Sequence, residues 1–147
     1  MTELFDETAD KLRAIGHEFG VTTGRPRRCG WFDAVACDYA CWMNGVTDVC
    51  LTKIDVLDTF PILKVCTGYM IDGEYYSYLP ETRLQERAKP IYEEFEGWME
   101  DTTSARKWED LPKKCQDFIL SLEKLIKTPI TLISVGPERD QLIIREK

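Results

Sequence analysis

The sequence has a single histidine, His17, no Cys-x-x-Cys pair, and no apolar run approaching the ~18 residues that a membrane-spanning helix needs. The first two absences argue against a zinc centre, whose ligands are closely spaced cysteines and histidines. Cys37 and Cys41 share a helix face by their spacing, but two ligands do not make a site. The third absence argues against a transmembrane helix, and the opening "MTELFDETADKLRAIG" is acidic and amphipathic rather than a signal peptide. The expectation is an intracellular, cytoplasmic protein with no membrane partner. Internal repeats and low-complexity segments are lacking as well, and so is the G-x-x-x-x-G-K-[ST] loop that wraps nucleotide phosphates. Basic residues are outnumbered, 19 against 26 acidic ones, for a formal charge of −7. Such a chain makes a poor counterion-release binder of nucleic acid.

What is present fits one globular segment, residues 1–147, with 44% hydrophobic and 11% aromatic residues. The six cysteines, Cys29, Cys37, Cys41, Cys50, Cys66 and Cys115, would suggest three bridges in a secreted chain. Several sit inside apolar periodic segments, so they read as reduced, mostly buried thiols.

Periodicity sets out the elements. Phe5, Ala9, Leu12, Ile15 and Phe19 predict an amphipathic helix over 2–19 that ends near Gly20, with His17 in its last turn. Phe32, Val35, Ala36, Tyr39, Ala40 and Met43 predict a second helix, stopped by Asn44-Gly45. "VTDVCLT" and "ITLIS" read as buried strands, and "LIIRE" as a short final one. Asp72-Gly73 between "ILKVCTGYM" and "EYYSY" predicts a hairpin, and one further strand is expected at "PIYEEF". Asp110 with Pro112 is expected to start a helix whose buried face is Cys115, Phe118, Ile119, Leu122, Leu125 and Ile126. The fold class is therefore α/β, a mixed sheet with flanking helices.

Against the acidic background, "VTTGRPRRCGW" gathers Arg25, Arg27 and Arg28 behind two threonines and a glycine. Hydroxyls on Thr22 and Thr23, close backbone approach at Gly24 and forked guanidinium groups suit a carboxylate or phosphate. A nucleic-acid patch is the rival. "LTKID" places Lys53 and Asp55 directly after a strand, where one carboxylate can accept both N1–H and N2–H₂ of guanine while a lysine stem crosses the ring. The alternative there is a solvated strand-to-loop corner. "ISVGP" could set the N–H groups of Val135 and Gly136 near the guanine O6.

"TELFDE", "VTTGRPRRCGWFDAV", "LTKIDVLD", "CTGY", "PIYEEFEGW" and "ISVGPERDQ" resemble, in the same order, the carboxy-terminal part of the adenylosuccinate synthetase family. The resemblance implies the carboxy-terminal portion of a larger nucleotide-binding α/β enzyme, a ligase of purine (AMP) biosynthesis. That family joins IMP to L-aspartate using GTP, phosphorylating the purine O6 and then displacing phosphate with the aspartate amine. It implies an aspartate- and IMP-binding loop at Val21, Thr22, Thr23, Gly24, Arg25, Pro26 and Arg27, with Arg25 reaching both ligands and Arg27 standing between aspartate and GTP. The position of Pro26 varies in the family. The guanine site resembles Lys53, Ile54 and Asp55 with Ser134, Val135 and Gly136. The family's "GDEGKGK" loop, catalytic aspartate and catalytic histidine do not occur here, and His17 does not inherit the histidine's role. Mg²⁺ is expected of the intact enzyme with its ligands outside this chain, as is a homodimer. This chain alone is expected to be inactive. Two alternatives stand beside it: a catalytically inactive nucleotide-binding module, and a GTPase-like domain lacking its phosphate loop.

Overall fold

The computed structural model describes residues 1–145, so Glu146, the last residue of the expected "LIIRE" strand, lies outside the described residues. Helix α1 spans Glu7–Ile15, and the Asp6 carboxylate caps it by accepting from the Thr8 and Ala9 N–H groups at 3.0 and 3.2 Å. It is shorter than its periodicity predicts. At Gly16 and His17 (φ 51°) the chain reverses, and Glu18 and Phe19 turn to pair with Pro26 and Arg27. The hairpin thus takes the backbone groups that further helical turns would have used. His17 is exposed and outside the helix, and Phe5, Ile15 and Phe19 stay exposed, leaving Ala9 as the helix's buried residue.

Strand β1 (Phe32–Asp33) leads into α2 (Ala34–Asn44), where Asp33 caps by accepting from the Ala36 N–H at 3.0 Å. The helix stops at Gly45, as its sequence predicts, but it buries a different face. Ala34, Val35 and Cys41 are inside and Tyr39, Trp42 and Met43 outside. Small side chains let α2 pack against α4 (Lys113–Ile126), so size overrides the aromatic stripe.

The strands form two sheets rather than one. In the first, β3 (Ile62–Ile71) pairs along its length with antiparallel β5 (Lys89–Glu96). It also carries parallel β1 and antiparallel β4 (Glu74–Tyr76). Asp72 and Gly73 both take positive φ (51° and 90°), the requirement of a two-residue hairpin turn. An irregularity between Cys66 and Gly68 switches the face of β3: Leu63 and Val65 enter the main core, whereas Cys66, Tyr69 and Ile71 pack with Val35 in a smaller cluster. The second sheet sets β2 (Val49–Leu51) parallel to β6 (Ile130–Ser134), with β7 (Leu142–Ile144) antiparallel to β6. A four-residue helix, α3 (Thr82–Gln85), precedes β5.

Helix α4 closes the main core with Cys115, Phe118, Ile119, Leu122 and Ile126 against Leu63, Val65, Ile130, Ile133 and Ile143. Its first turn begins at Pro112. Asp110 has a different task from the one expected of it, accepting from the N–H groups of Arg106 and Lys107, each at 3.0 Å, and so closing the turn before the helix. Cys41, Cys66 and Cys115 are buried thiols, Cys29 and Cys37 are half-buried, and Cys50 is exposed. Among the described residues no helix is long and apolar enough to cross a membrane.

Candidate functional site

Because β2 and β6 run parallel with Leu51 opposite Ile133, the segments that follow them leave the same end of the sheet side by side. One is Thr52–Asp55, the other Ser134–Gly136. This is where open α/β sheets place ligands, beyond the carboxyl ends of parallel strands. The first segment turns sharply at Lys53, whose φ of 62° is unusual for a residue with a side chain, and enters the 3₁₀ turn Ile54–Leu57. Ile54 is buried and pins the turn to the core. The Asp55 carboxyl is half-buried, and its Oδ1 is shut from solvent with no hydrogen-bond partner among the described residues. Burial raises its pKa, opposed by its own backbone N–H and by the Lys53 charge, with Asp101 adding to the rise.

Three residues on, Asp58 accepts from the Trp98 indole N–H (2.6 Å), the Thr102 N–H (2.7 Å) and the Thr102 hydroxyl (3.0 Å). Asp58 thereby fastens the segment 98–102 to the underside of the loop.

The second segment is held by Gln141. The Val135 N–H donates to the Gln141 carbonyl at 3.0 Å, and the Gln141 amide accepts from the Glu138 N–H (3.0 Å) while donating to the Thr103 carbonyl (3.1 Å). A Cβ on residue 136 would lie 2.2 Å from Gln141 Oε1, so a side chain there would push the Gln141 amide out of the clamp. Ser134 Oγ donates to the Gly136 carbonyl at 2.9 Å. The expectation that the Val135 N–H faces a ligand is corrected: Val135 is fully buried and its N–H is already used, because β7 folds back over the loop.

The arginine stretch forms a tight hairpin. Arg27 N–H donates to the Glu18 carbonyl (2.9 Å), Gly20 N–H to the Arg25 carbonyl (2.8 Å) and Gly24 N–H to the Gly20 carbonyl (2.8 Å), with Gly24 at φ 65°. Val21 to Arg28 are all exposed. The three arginines differ. Arg28 pairs with Glu3 at 2.6 Å and Arg27 with Glu18 at 3.0 Å, whereas the Arg25 guanidinium has no partner among the described residues. The local cationic excess thus resolves into one structural arginine, one shared and one free.

Glu18 ties the hairpin to the first strand-end segment, since its other oxygen accepts from the Lys53 ammonium at 2.5 Å, and that ammonium also donates to the Gly16 carbonyl at 2.7 Å. A cavity of about 350 Å³, lined by Glu18, Cys29, Trp31, Lys53, Ile54 and Leu63 among others, opens at this junction. Glu18, Asp58 and Gln141 are the residues that sequence reasoning passed over. Asp58 and Gln141 had a signal, their places in the quoted "LTKIDVLD" and "ISVGPERDQ", and Glu18 had none. Among the described residues no three His, Cys, Asp or Glu side chains gather as they would around a metal ion.

The sequence model of the family described as adenylosuccinate synthetase matches residues 1–143. An adenylosuccinate synthetase of Geobacter sulfurreducens is 54% identical over 144 residues, which are 97% of this chain and 33% of that protein. One of Caenorhabditis briggsae is 50% identical over 147 residues, 99% of this chain and 34% of its own length. The structure of a fully ligated adenylosuccinate synthetase from Plasmodium falciparum superposes with a TM-score of 0.92 at 38% identity, covering 99% of this chain and 35% of that one. The chain spans about a third of the length of the curated relatives it matches. It belongs to the adenylosuccinate synthetase family.

Proposed function

We propose that this chain is the carboxy-terminal, ligand-recognising portion of a GTP-dependent ligase that joins IMP and L-aspartate to give adenylosuccinate. The carboxy-terminal placement rests on the order of the quoted motifs. Lys53, Ile54 and Asp55 with Ser134, Val135 and Gly136 read the guanine of GTP: the Asp55 carboxylate accepts from N1–H and N2–H₂, the Lys53 stem lies across the ring, and the Gly136 N–H faces O6. Val135 contributes by holding its loop rather than by donating. The hairpin from Val21 to Arg27 takes the anionic ligands. Arg25, without an ionic partner among the described residues, forks onto the aspartate carboxylates and reaches IMP, and Arg27 stands between aspartate and nucleotide. Thr22 and Thr23 add hydroxyls. Mg²⁺ and the groups that transfer the phosphoryl lie elsewhere in an intact enzyme, which this reading takes to be a homodimer.

The observation that supports this best is the parallel alignment of β2 with β6, which brings two loops distant in sequence to one sheet end and sets beside them a half-buried carboxylate, one oxygen of which has no donor among the described residues. A purine edge carrying two N–H donors would supply what the protein does not. Titration of the 147-residue chain with GDP and with ADP tests it. GDP should bind at least about tenfold more tightly, because adenine cannot offer that donor pair. Equal affinities would overturn the guanine assignment.

A further inference from the structure

We propose that Glu18 is the positioning residue that couples the two ligand loops, its one carboxylate tying Arg27 of the arginine hairpin to Lys53 of the strand-end loop. The inference rests on the assignment of those loops to aspartate and to guanine.

Three observations carry it. The two oxygens of Glu18 are committed in different directions, Oε2 to Arg27 Nη1 at 3.0 Å and Oε1 to Lys53 Nζ at 2.5 Å, so the contact joins segments 9 and 35 residues away. The Glu18 side chain is 24% exposed, whereas Arg27 and Lys53 are 55% and 49% exposed. The shared anion is therefore the fixed member and the two cations present their outer parts to a ligand. Lastly, the Lys53 ammonium is held at two points, by Glu18 and by the Gly16 carbonyl at 2.7 Å. With its end fixed, the four-carbon stem is a preformed apolar edge, and little rotamer freedom is left to lose when a flat ring settles on it. The Glu18 pKa is lowered, first by the Lys53 hydrogen bond, against the opposing effect of burial, and then by Arg27.

The chemistry requires a carboxylate. A glutamine would offer one acceptor oxygen and turn a donor toward the other cation. Exposed ion pairs are individually weak, but here two share one anion and each restrains a different loop. Ordering the nucleotide loop then favours the ordered hairpin, and by linkage the reverse holds.

Amide hydrogen exchange at Gly20, Gly24 and Arg27, whose N–H groups are bonded within the hairpin, reads the coupling without any ligand. Glu18→Gln and Lys53→Met should each speed exchange there about three- to tenfold while the thermal midpoint stays put. The double variant should be no faster than either single one, since both cut the same tether. Lys113→Gln, which breaks an ordinary surface pair with Asp117, should leave the hairpin unchanged. Glu18→Gln should also weaken GDP binding by a similar factor. Parental exchange rates in Lys53→Met, or additive effects in the double variant, would overturn the proposal. Failure of the parent chain to bind GDP would count against the guanine assignment, and the exchange measurement would still decide the tether.

Discussion

Replacing Asp55 by asparagine tests the guanine site through two readouts that should move in opposite ways. The carboxyl is half-buried and its Oδ1 has no donor among the described residues, and burial raises its pKa above the ordinary aspartate value. A carboxyl whose folded-state pKa is raised binds its proton more tightly in the folded state. Its effect on stability is therefore unfavourable above that pKa, and folding weakens as pH climbs through the window from the unfolded value to the folded one. Asp55→Asn removes this cost, and at neutral pH the variant should melt at the parental temperature or higher. Binding should respond the other way. The asparagine keeps one acceptor oxygen for guanine N1–H but turns an NH₂ donor toward the 2-amino donor, which loses a charge-assisted bond and leaves a donor unpaired. A loss of about 2–5 kcal/mol follows, or roughly 30-fold in affinity at the lower end. Xanthine carries a carbonyl where guanine has its amino group, so the same NH₂ gains an acceptor there. Calorimetric titration with GDP and XDP, beside thermal unfolding, should show a variant at least as stable as the parent that prefers XDP. A folded variant that retains the preference for GDP would make Asp55 a strand-end corner residue and nothing more.

Other consequences follow from the same geometry. In an intact enzyme carrying these residues, Arg25→Leu or Arg27→Leu should weaken aspartate binding about ten- to a hundredfold, as charge-assisted bonds of about 1.5–3 kcal/mol are lost, and an unchanged aspartate KM with unchanged kcat would refute the assignment. The 147-residue chain alone should form no adenylosuccinate from IMP, aspartate and GTP, because positioned phosphate- and metal-binding groups supply most of phosphoryl-transfer catalysis; turnover in a preparation free of host enzyme would contradict this. Asp58→Ala should cost about 2–4 kcal/mol in urea unfolding, since it strands the Trp98 indole N–H and the Thr102 N–H, both on buried residues. Alkylation at pH 7.5, followed by mass spectrometry, should label exposed Cys50 well before Cys66 and Cys115, whose thiols burial pushes up to about 11 and about 12.

How much of this was legible in the sequence depends on whether the deciding interaction is local. Asp72-Gly73 forecast its hairpin because the requirement, two adjacent residues at positive φ, is met by those residues themselves. The stripe of α4 forecast its buried face because large apolar residues fall at helical spacing and nothing competes for them. Helix α1 was overestimated, since its continuation to Phe19 fits the same periodicity. What stops it is the pairing of Glu18 with Arg27 across a turn. In α2 the aromatic residues drew the expected face to themselves, although Ala34 and Cys41 are the ones that admit a neighbouring helix. The arginine cluster was visible in composition, but which guanidinium is free depends on Glu3 and Glu18, whose positions only the fold supplies. The Val135 N–H was misjudged for a like reason. Its acceptor, the Gln141 carbonyl, arrives from six residues further on.

The pair of aspartates in "KIDVLD" shows how such a site is separated from its scaffold. Asp55 and Asp58 are three residues apart on one turn, both carboxyls are partly buried, and burial is the largest influence raising the pKa of each. Residue type does not divide them. Their surroundings do: Asp58 is surrounded by donors, the Trp98 indole, the Thr102 N–H and the Thr102 hydroxyl, whereas an oxygen of Asp55 is closed off with none among the described residues. A buried carboxylate with its donors in place is a fastener, and a mutation there is felt as lost stability. One without them costs stability while the chain is unliganded, and a ligand bringing N–H groups to it recovers that cost as affinity. The two substitutions should accordingly separate cleanly, Asp58→Ala lowering stability and Asp55→Asn lowering nucleotide affinity at undiminished stability. Because Asp58 holds the turn that carries Asp55, the Asp58 variant should also bind GDP less well, but without any shift of preference toward XDP.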